Sequence, residues 1–308
     1  MVLNRVLGAS IALSLSIGCG SDDGGGRDAS GGVDGPADSD GPADGDGSSG
    51  DGLEDANAGG AVRSAGCGQA PEFQSGTHTL EVDGLSRTFI VDLPSGYAPS
   101  EPYPVVFGFH GRHFSGAEFR SPAYGDLLSA AGDDAIVVHP DAAGEERAWE
   151  TESQQDVVFF DAMLDALTEG LCVDEARVFA AGHSAGGYFT NVLGCERGDV
   201  LRAIAPVAGG GPFGRTGGAP RCERPVSAWI AHSEDDETVL FSNGEGTLDH
   251  WLGSGDCDAE SFQPVSPDPC VAYRGCATGL AVRWCVYDGG HDWPPFAADG
   301  IWGFFQSF

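Results

Sequence analysis

The chain has 308 residues, enough for one large domain or two small ones, and carries 47 acidic residues against 15 basic ones for a formal net charge of −32. Every basic residue is an arginine. Such a balance argues against a nucleic-acid partner, which needs a basic face, and favours a protein soluble outside the cell.

In chain order, the first segment reads as an export signal. One positive charge, Arg5, precedes an apolar run over residues 6–17 that is too short to span a bilayer. The run ends in Ser16-Ile17-Gly18-Cys19, which resembles the bacterial lipobox, with Ser16 where leucine is usual. That resemblance implies lipidation at Cys19, the lipid then being the sole membrane contact; ordinary cleavage nearby is the plainer alternative.

Residues 20–65 hold almost nothing apolar larger than alanine, and Asp-Gly-Pro-Ala-Asp occurs twice, at 34–38 and 40–44. A segment of this kind cannot bury enough apolar surface to offset chain entropy, so it is expected to be a solvated tether. Its acids do not form a calcium loop, because the glycine and closing glutamate of such a loop are misplaced. Residues 66–308 still hold 36 acids against 12 arginines and form the expected globular domain. Eight of the nine cysteines lie in it, an even set that suits disulfides in an oxidising compartment. Zinc fits poorly, since no Cys-x-x-Cys occurs. The expected pairing is Cys172 with Cys195, which flank the central motif.

Residues 77–82 and 86–93 alternate around Asp83-Gly84, a hairpin signal. Strands are then predicted at 105–109, 135–139, 177–181, 201–207, 226–232 and 281–287. Helices are predicted at 127–131, 156–167, 188–193 and 247–252, and an aromatic tail ends the chain. This rhythm indicates an α/β domain with a mainly parallel central sheet, flanked by helices and carrying an antiparallel hairpin at one edge.

The strand at 177–181 runs into Gly182-His183-Ser184-Ala185-Gly186-Gly187 and then into a helix. A glycine-flanked serine between strand and helix is the sharp turn that lifts a nucleophile above a parallel sheet. Its base and acid should follow in the order acid, then histidine. His291, in Gly289-Gly290-His291-Asp292-Trp293 just past the last strand, is the expected base. His232 should shape the acid loop, and His250 should be solvated on a helix. The acid lies among Glu234, Asp235, Asp236 and Glu237, with Asp236 preferred and Asp235 next. Backbone N–H groups of Ala185 and, after the strand at 105–109, of Arg112 should form the oxyanion hole. Trp149, Tyr188 and Trp293 are candidates to line an apolar substrate slot. No metal or other cofactor is called for.

Phe109-His110-Gly111-Arg112, the block from Cys172 to Cys195, Cys270-Val271-x-Tyr273-x-Gly275-Cys276 and Gly289-Gly290-His291-Asp292-Trp293-Pro294 resemble the secreted feruloyl esterases of carbohydrate esterase family 1. The resemblance extends to polyhydroxybutyrate depolymerase-like esterases. It implies an α/β-hydrolase fold, no cofactor, and ester cleavage with Ser184, Asp236 and His291 as triad. Ser233 stands where the family has glycine in its acid loop. The expected activity is hydrolysis of feruloyl esters of plant polysaccharide. The alternatives are polyhydroxyalkanoate depolymerisation, acetyl xylan esterase activity, or an inactive surface-binding lipoprotein.

Overall fold

The computed structural model describes residues 60–212, 222 and 224–308. The leader, Cys19 and residues 20–59 of the expected tether lie outside them. Strands β1 (Gly76–Val82) and β2 (Leu85–Asp92) pair antiparallel in full register. Their turn residues, Asp83 and Gly84, have φ of 51° and 77°, as a two-residue hairpin turn with both centres left-handed demands. Strands β3 (Tyr103–Phe109), β4 (Ile136–Pro140), β5 (Val173–His183), β6 (Ala203–Val207) and β7 (Ser227–Ser233) run parallel. β8 (Asp258–Pro264) and β9 (Cys270–Arg274) form an antiparallel pair, and β10 (Val282–Tyr287) joins it to β7, to which it runs parallel. The sheet order is β1-β2-β4-β3-β5-β6-β7-β10-β9-β8.

The helices are α1 (Gly116–Phe119), α2 (Leu127–Ala131), α3 (Gln155–Gly170), α4 (Ala185–Glu196), α5 (Phe241–Ser254) and α6 (Ala297–Phe305). Strand alternation divides the core between the two faces of the sheet. Val105, Phe107, Val178 and Ala180 join one cluster with side chains of α3, α4 and α5. Val106, Phe179 and Ala181 join another with those of α2 and α6. Among the described residues no helix is long and apolar enough to cross a membrane.

The structure departs from the sequence-based reading in four places. The predicted aromatic tail is helix α6, whose Ala297, Ile301, Phe304 and Phe305 are buried at helical spacing. Antiparallel strands close both edges of the sheet, not one, because β8 and β9 add to the far side. Residues 60–65, assigned to the tether, belong to the folded body: Arg63 bridges Asp174, and the buried Ser64 Oγ donates to Leu171 O and accepts the Val173 N–H.

The fourth departure is the disulfide. Cys172 is joined to Cys67, and Cys195 to Cys222, so the expected Cys172–Cys195 bridge is not formed. Cys172 leads into β5, and the N-terminal segment runs along that start, with Ser64 N–H donating to Val173 O. This brings the Cα atoms of Cys67 and Cys172 within 4.0 Å. Cys195 instead sits at the end of α4, a layer away from the sheet. Cys257–Cys276 and Cys270–Cys285 complete four bridges, both holding the β8–β9 edge.

Candidate active site

Parallel strands deliver loops to the same edge of the sheet, and four of them converge here. β3 ends in His110-Gly111-Arg112, β5 in Ser184, β7 in the loop bearing Asp235 and Asp236, and β10 in the loop bearing His291. Ser184 has φ 56° and ψ −118°, a strained position for a residue with a side chain. Its N–H is anchored to Val207 O at 3.0 Å. The neighbouring glycines are obligatory on steric grounds. A Cβ on Gly182 would lie 2.4 Å from Gly186 O, and one on Gly186 would lie 2.1 Å from Phe109 O. The helix therefore passes against both β5 and the end of β3, which is how the turn projects its serine.

His291 Nε2 lies 2.7 Å from Ser184 Oγ, and its Nδ1 lies 2.7 Å from Asp236 Oδ2. The side chain of Asp236 is fully buried, and its Oδ1 accepts the N–H groups of Thr238 and Val239 at 2.8 and 2.9 Å. Burial pushes the Asp236 carboxyl up, but the His291 hydrogen bond and the two amides together outweigh it and hold the group below the usual carboxylate range. An ionised Asp236 places the imidazole proton on Nδ1, leaving the Nε2 lone pair to accept the serine hydroxyl proton. Asp235 lies apart from the imidazole: its Oδ1 accepts the N–H groups of Gly289 and Gly290 at 3.0 and 2.8 Å, and the Ser233 hydroxyl. The amide of Gly289, the Ser233 hydroxyl and the amide of Gly290 hold its carboxyl well below the usual range.

His232 is buried and its Nε2 bonds Val239 O at 2.8 Å, within the acid loop. His250, expected to be solvated, is half-buried on α5, with Nε2 3.3 Å from Cys222 Sγ. Together with Cys195 these make the one grouping of three potential metal ligands among the described residues. Both sulfurs are joined in a disulfide, so neither is a thiolate ligand.

A cavity of about 970 Å³ opens over Ser184 and is lined by Arg112, Phe114, Trp149, Tyr188, His291 and Trp293, among others. Arg112 and Ala185 both line it, and among the described residues neither N–H is seen to donate a hydrogen bond. Two free amides beside a serine hydroxyl can receive an oxyanion. Trp149 lines the cavity but is only 5% exposed. Its Nε1–H donates to His110 O at 2.9 Å and its ring stacks on Phe189, so it builds the wall and holds the His110 loop. Tyr188 and Trp293 are half-buried and face the same space. Phe114, 43% exposed at the mouth, and Tyr124, Thr238 and Val239 also line it, and the sequence carried no signal for any of them.

A family model described as "Putative esterase" matches residues 83–300. Feruloyl esterase D of Neurospora crassa is 31% identical over 271 residues, covering 80% of this chain and 91% of the relative. Feruloyl esterase C of Emericella nidulans is 30% identical, covering 80% and 92%. Among solved structures, an acetyl xylan esterase from Aspergillus awamori superposes with a TM-score of 0.61 at 15% identity, covering 75% of this chain and 98% of that one. A carbohydrate esterase family 1 ferulic acid esterase from Anaeromyces mucronatus, in complex with ferulic acid, superposes with 0.53 at 17% identity, covering 76% and 90%.

Proposed function

From the premise that the chain belongs to this esterase family and is a carboxylic ester hydrolase, we propose that it cleaves feruloyl and related hydroxycinnamoyl esters of plant polysaccharide through an acyl-serine intermediate. The observation that carries the reading is the aromatic-walled cavity directly over the Ser184–His291–Asp236 chain. A planar phenolic acyl group matches such walls, while the sugar side of the ester faces the open mouth.

Ser184 Oγ attacks the ester carbonyl carbon as His291 Nε2 takes its proton, and buried Asp236 stabilises the imidazolium. The carbonyl oxygen, now anionic, receives the N–H groups of Arg112 and Ala185. Collapse of the tetrahedral intermediate expels the alcohol, which takes the proton from His291. Water then attacks the acyl-serine with His291 again as base, releasing the acid and restoring the serine.

In this reading residues 1–19 are a lipoprotein-type signal, Cys19 carries lipid, and residues 20–59 tether the enzyme outside the cell. The four disulfides support an oxidising location. A Cys19→Ser variant should leave the membrane fraction and stay active; retention there contradicts the anchor. The substrate is tested by turnover of methyl ferulate, acetylated xylan and polyhydroxybutyrate side by side. Methyl ferulate should show the highest kcat/KM, and preference for either of the others overturns the acyl assignment.

A further inference from the structure

The hydroxyl of Tyr124 stands between two parts of the site that the mechanism uses separately. Gly111, next to the expected oxyanion donor Arg112, donates its N–H to Tyr124 Oη at 3.1 Å. The same oxygen lies 2.5 Å from Nδ1 of His183, the residue before the nucleophile. Having accepted from Gly111, the hydroxyl spends its own proton on His183 Nδ1, which leaves the ring proton on Nε2. His183 is buried, and burial, followed by the neighbouring His291, pushes its pKa down to about 3, which favours the neutral ring as acceptor at neutral pH. Nothing in the reaction cycle above consumes any of these bonds.

The fit around them is tight. A Cβ on Gly111 would lie 2.8 Å from Tyr124 Oη, 3.4 Å from Ser184 Cβ and 3.5 Å from His183 Nδ1. The tyrosine ring is held by Phe114 at 4.9 Å and edge-on by Phe119 at 4.8 Å and His183 at 5.3 Å. Burial also raises the Tyr124 pKa, so the hydroxyl keeps its proton. The His110–Arg112 loop is held elsewhere by Trp149 on His110 O, by His110 Nε2 accepting the Ala142 N–H, and at Gly111 O, which lies 2.7 Å from His110 Nδ1 and accepts the Phe114 N–H. Toward the nucleophile, the Tyr124 hydroxyl is the one side-chain hydrogen-bonded tie of this loop among the described residues.

We propose that Tyr124 is a positioning residue of the oxyanion hole: its hydroxyl ties the Gly111 amide to His183 and so sets the Arg112 N–H against Ser184. The proposal rests on the serine-esterase reading above. Its effect should appear in the transition state, where the oxyanion exists, and not in ground-state binding.

The test compares the full chain with S184A, Y124F, H183L, H183N and the Y124F/H183L double variant on 4-nitrophenyl acetate, together with inhibition by phenylboronic acid, which forms a tetrahedral adduct on an active serine. Direct removal of one oxyanion donor costs about 10²–10³ in kcat, so loosening one should cost about 10- to 50-fold. Y124F should show that loss with KM within about twofold, and boronate affinity should fall by a similar factor. H183L should match it, and the double variant should be no worse than either single one, because both cut the same tie. H183N keeps an acceptor where Nδ1 stands and should recover most of what H183L loses. Parental kcat in Y124F, a raised KM at unchanged kcat, additive losses in the double variant, or equal loss in H183N and H183L each overturn the proposal. Should Y124F not fold, the H183L and H183N pair decides it with Tyr124 in place. Activity surviving in S184A would instead sink the serine-esterase reading itself.

Discussion

Asp235 and Asp236 are neighbours in the chain, yet their carboxylates hold two different parts of the loop that carries His291. Asp236 meets the imidazole at 2.7 Å, whereas Asp235 accepts the backbone amides of Gly289 and Gly290, two residues and one residue before His291. Ser233 shares in this, donating to Asp235 and contacting Tyr287 O at 3.1 Å, so its hydroxyl links the ends of β7 and β10. Asp236→Asn should lower kcat by about 10³–10⁴, since the amide no longer enforces the reactive tautomer. Asp235→Ala should cost far less in kcat, with a lower thermal midpoint. Kinetics and thermal melts of the two variants decide this, and the reverse ranking would move the acid by one residue.

What the sequence disclosed was local or strictly ordered. The strand–serine–helix turn announces itself within ten residues, and its glycines have direct steric reasons at Gly182 and Gly186. The hairpin was legible because Asp83-Gly84 encodes a backbone conformation. His291 was legible from its place after the last strand. Pairings between distant segments were not. Cys67 is 105 residues from Cys172, and nothing near either residue names its partner. β8 reads Asp-Ala-Glu-Ser-Phe-Gln-Pro and is mostly exposed; backbone pairing to β9 holds it, with no apolar alternation to betray it. Trp149, a candidate for the apolar slot, does line the cavity, while its polar edge is committed to His110, a contact 39 residues away that no local pattern encodes. Tyr124 sits in a short loop between α1 and α2, where one tyrosine carries no pattern at all.

Non-reducing peptide mapping should recover Cys67 joined to Cys172 and Cys195 joined to Cys222. The first bridge closes a loop whose ends are 105 residues apart, worth up to about 4.7 kcal/mol through the unfolded chain. Replacing both Cys67 and Cys172 by alanine should lower the thermal midpoint by roughly 5–15 °C for a domain of this size. The site is built elsewhere, so kcat at 25 °C should change little. A Cys172–Cys195 peptide would refute the structure's connectivity.

Acid should weaken the fold before the carboxylates titrate. His139 is buried with no hydrogen bond to either ring nitrogen, and burial pushes its pKa down to about 4; His183 is pushed to about 3. Unfolded, each titrates near the ordinary value of about 6.5, so below that pH the unfolded chain binds more protons than the native one. Stability from these groups is therefore complete above about pH 6.5 and lost as pH falls from there toward 4 and 3. Each contributes a slope of up to about 1.4 kcal/mol per pH unit inside that window. Thermal midpoints should be level between pH 7 and 8 and decline between pH 6.5 and 4.5. A level profile down to pH 4.5 would mean these rings are protonated in the native protein.

In the proposed reaction Ser184 Oγ is the atom that carries the acyl group. Acid-quenching the enzyme during turnover of methyl ferulate, then weighing its peptides, asks this directly. A feruloyl group on the peptide containing Ser184, absent when the same experiment is run on Ser184→Ala, is the result expected. Turnover with no acyl group on that peptide, or hydrolysis by Ser184→Ala at the parental rate, would contradict it.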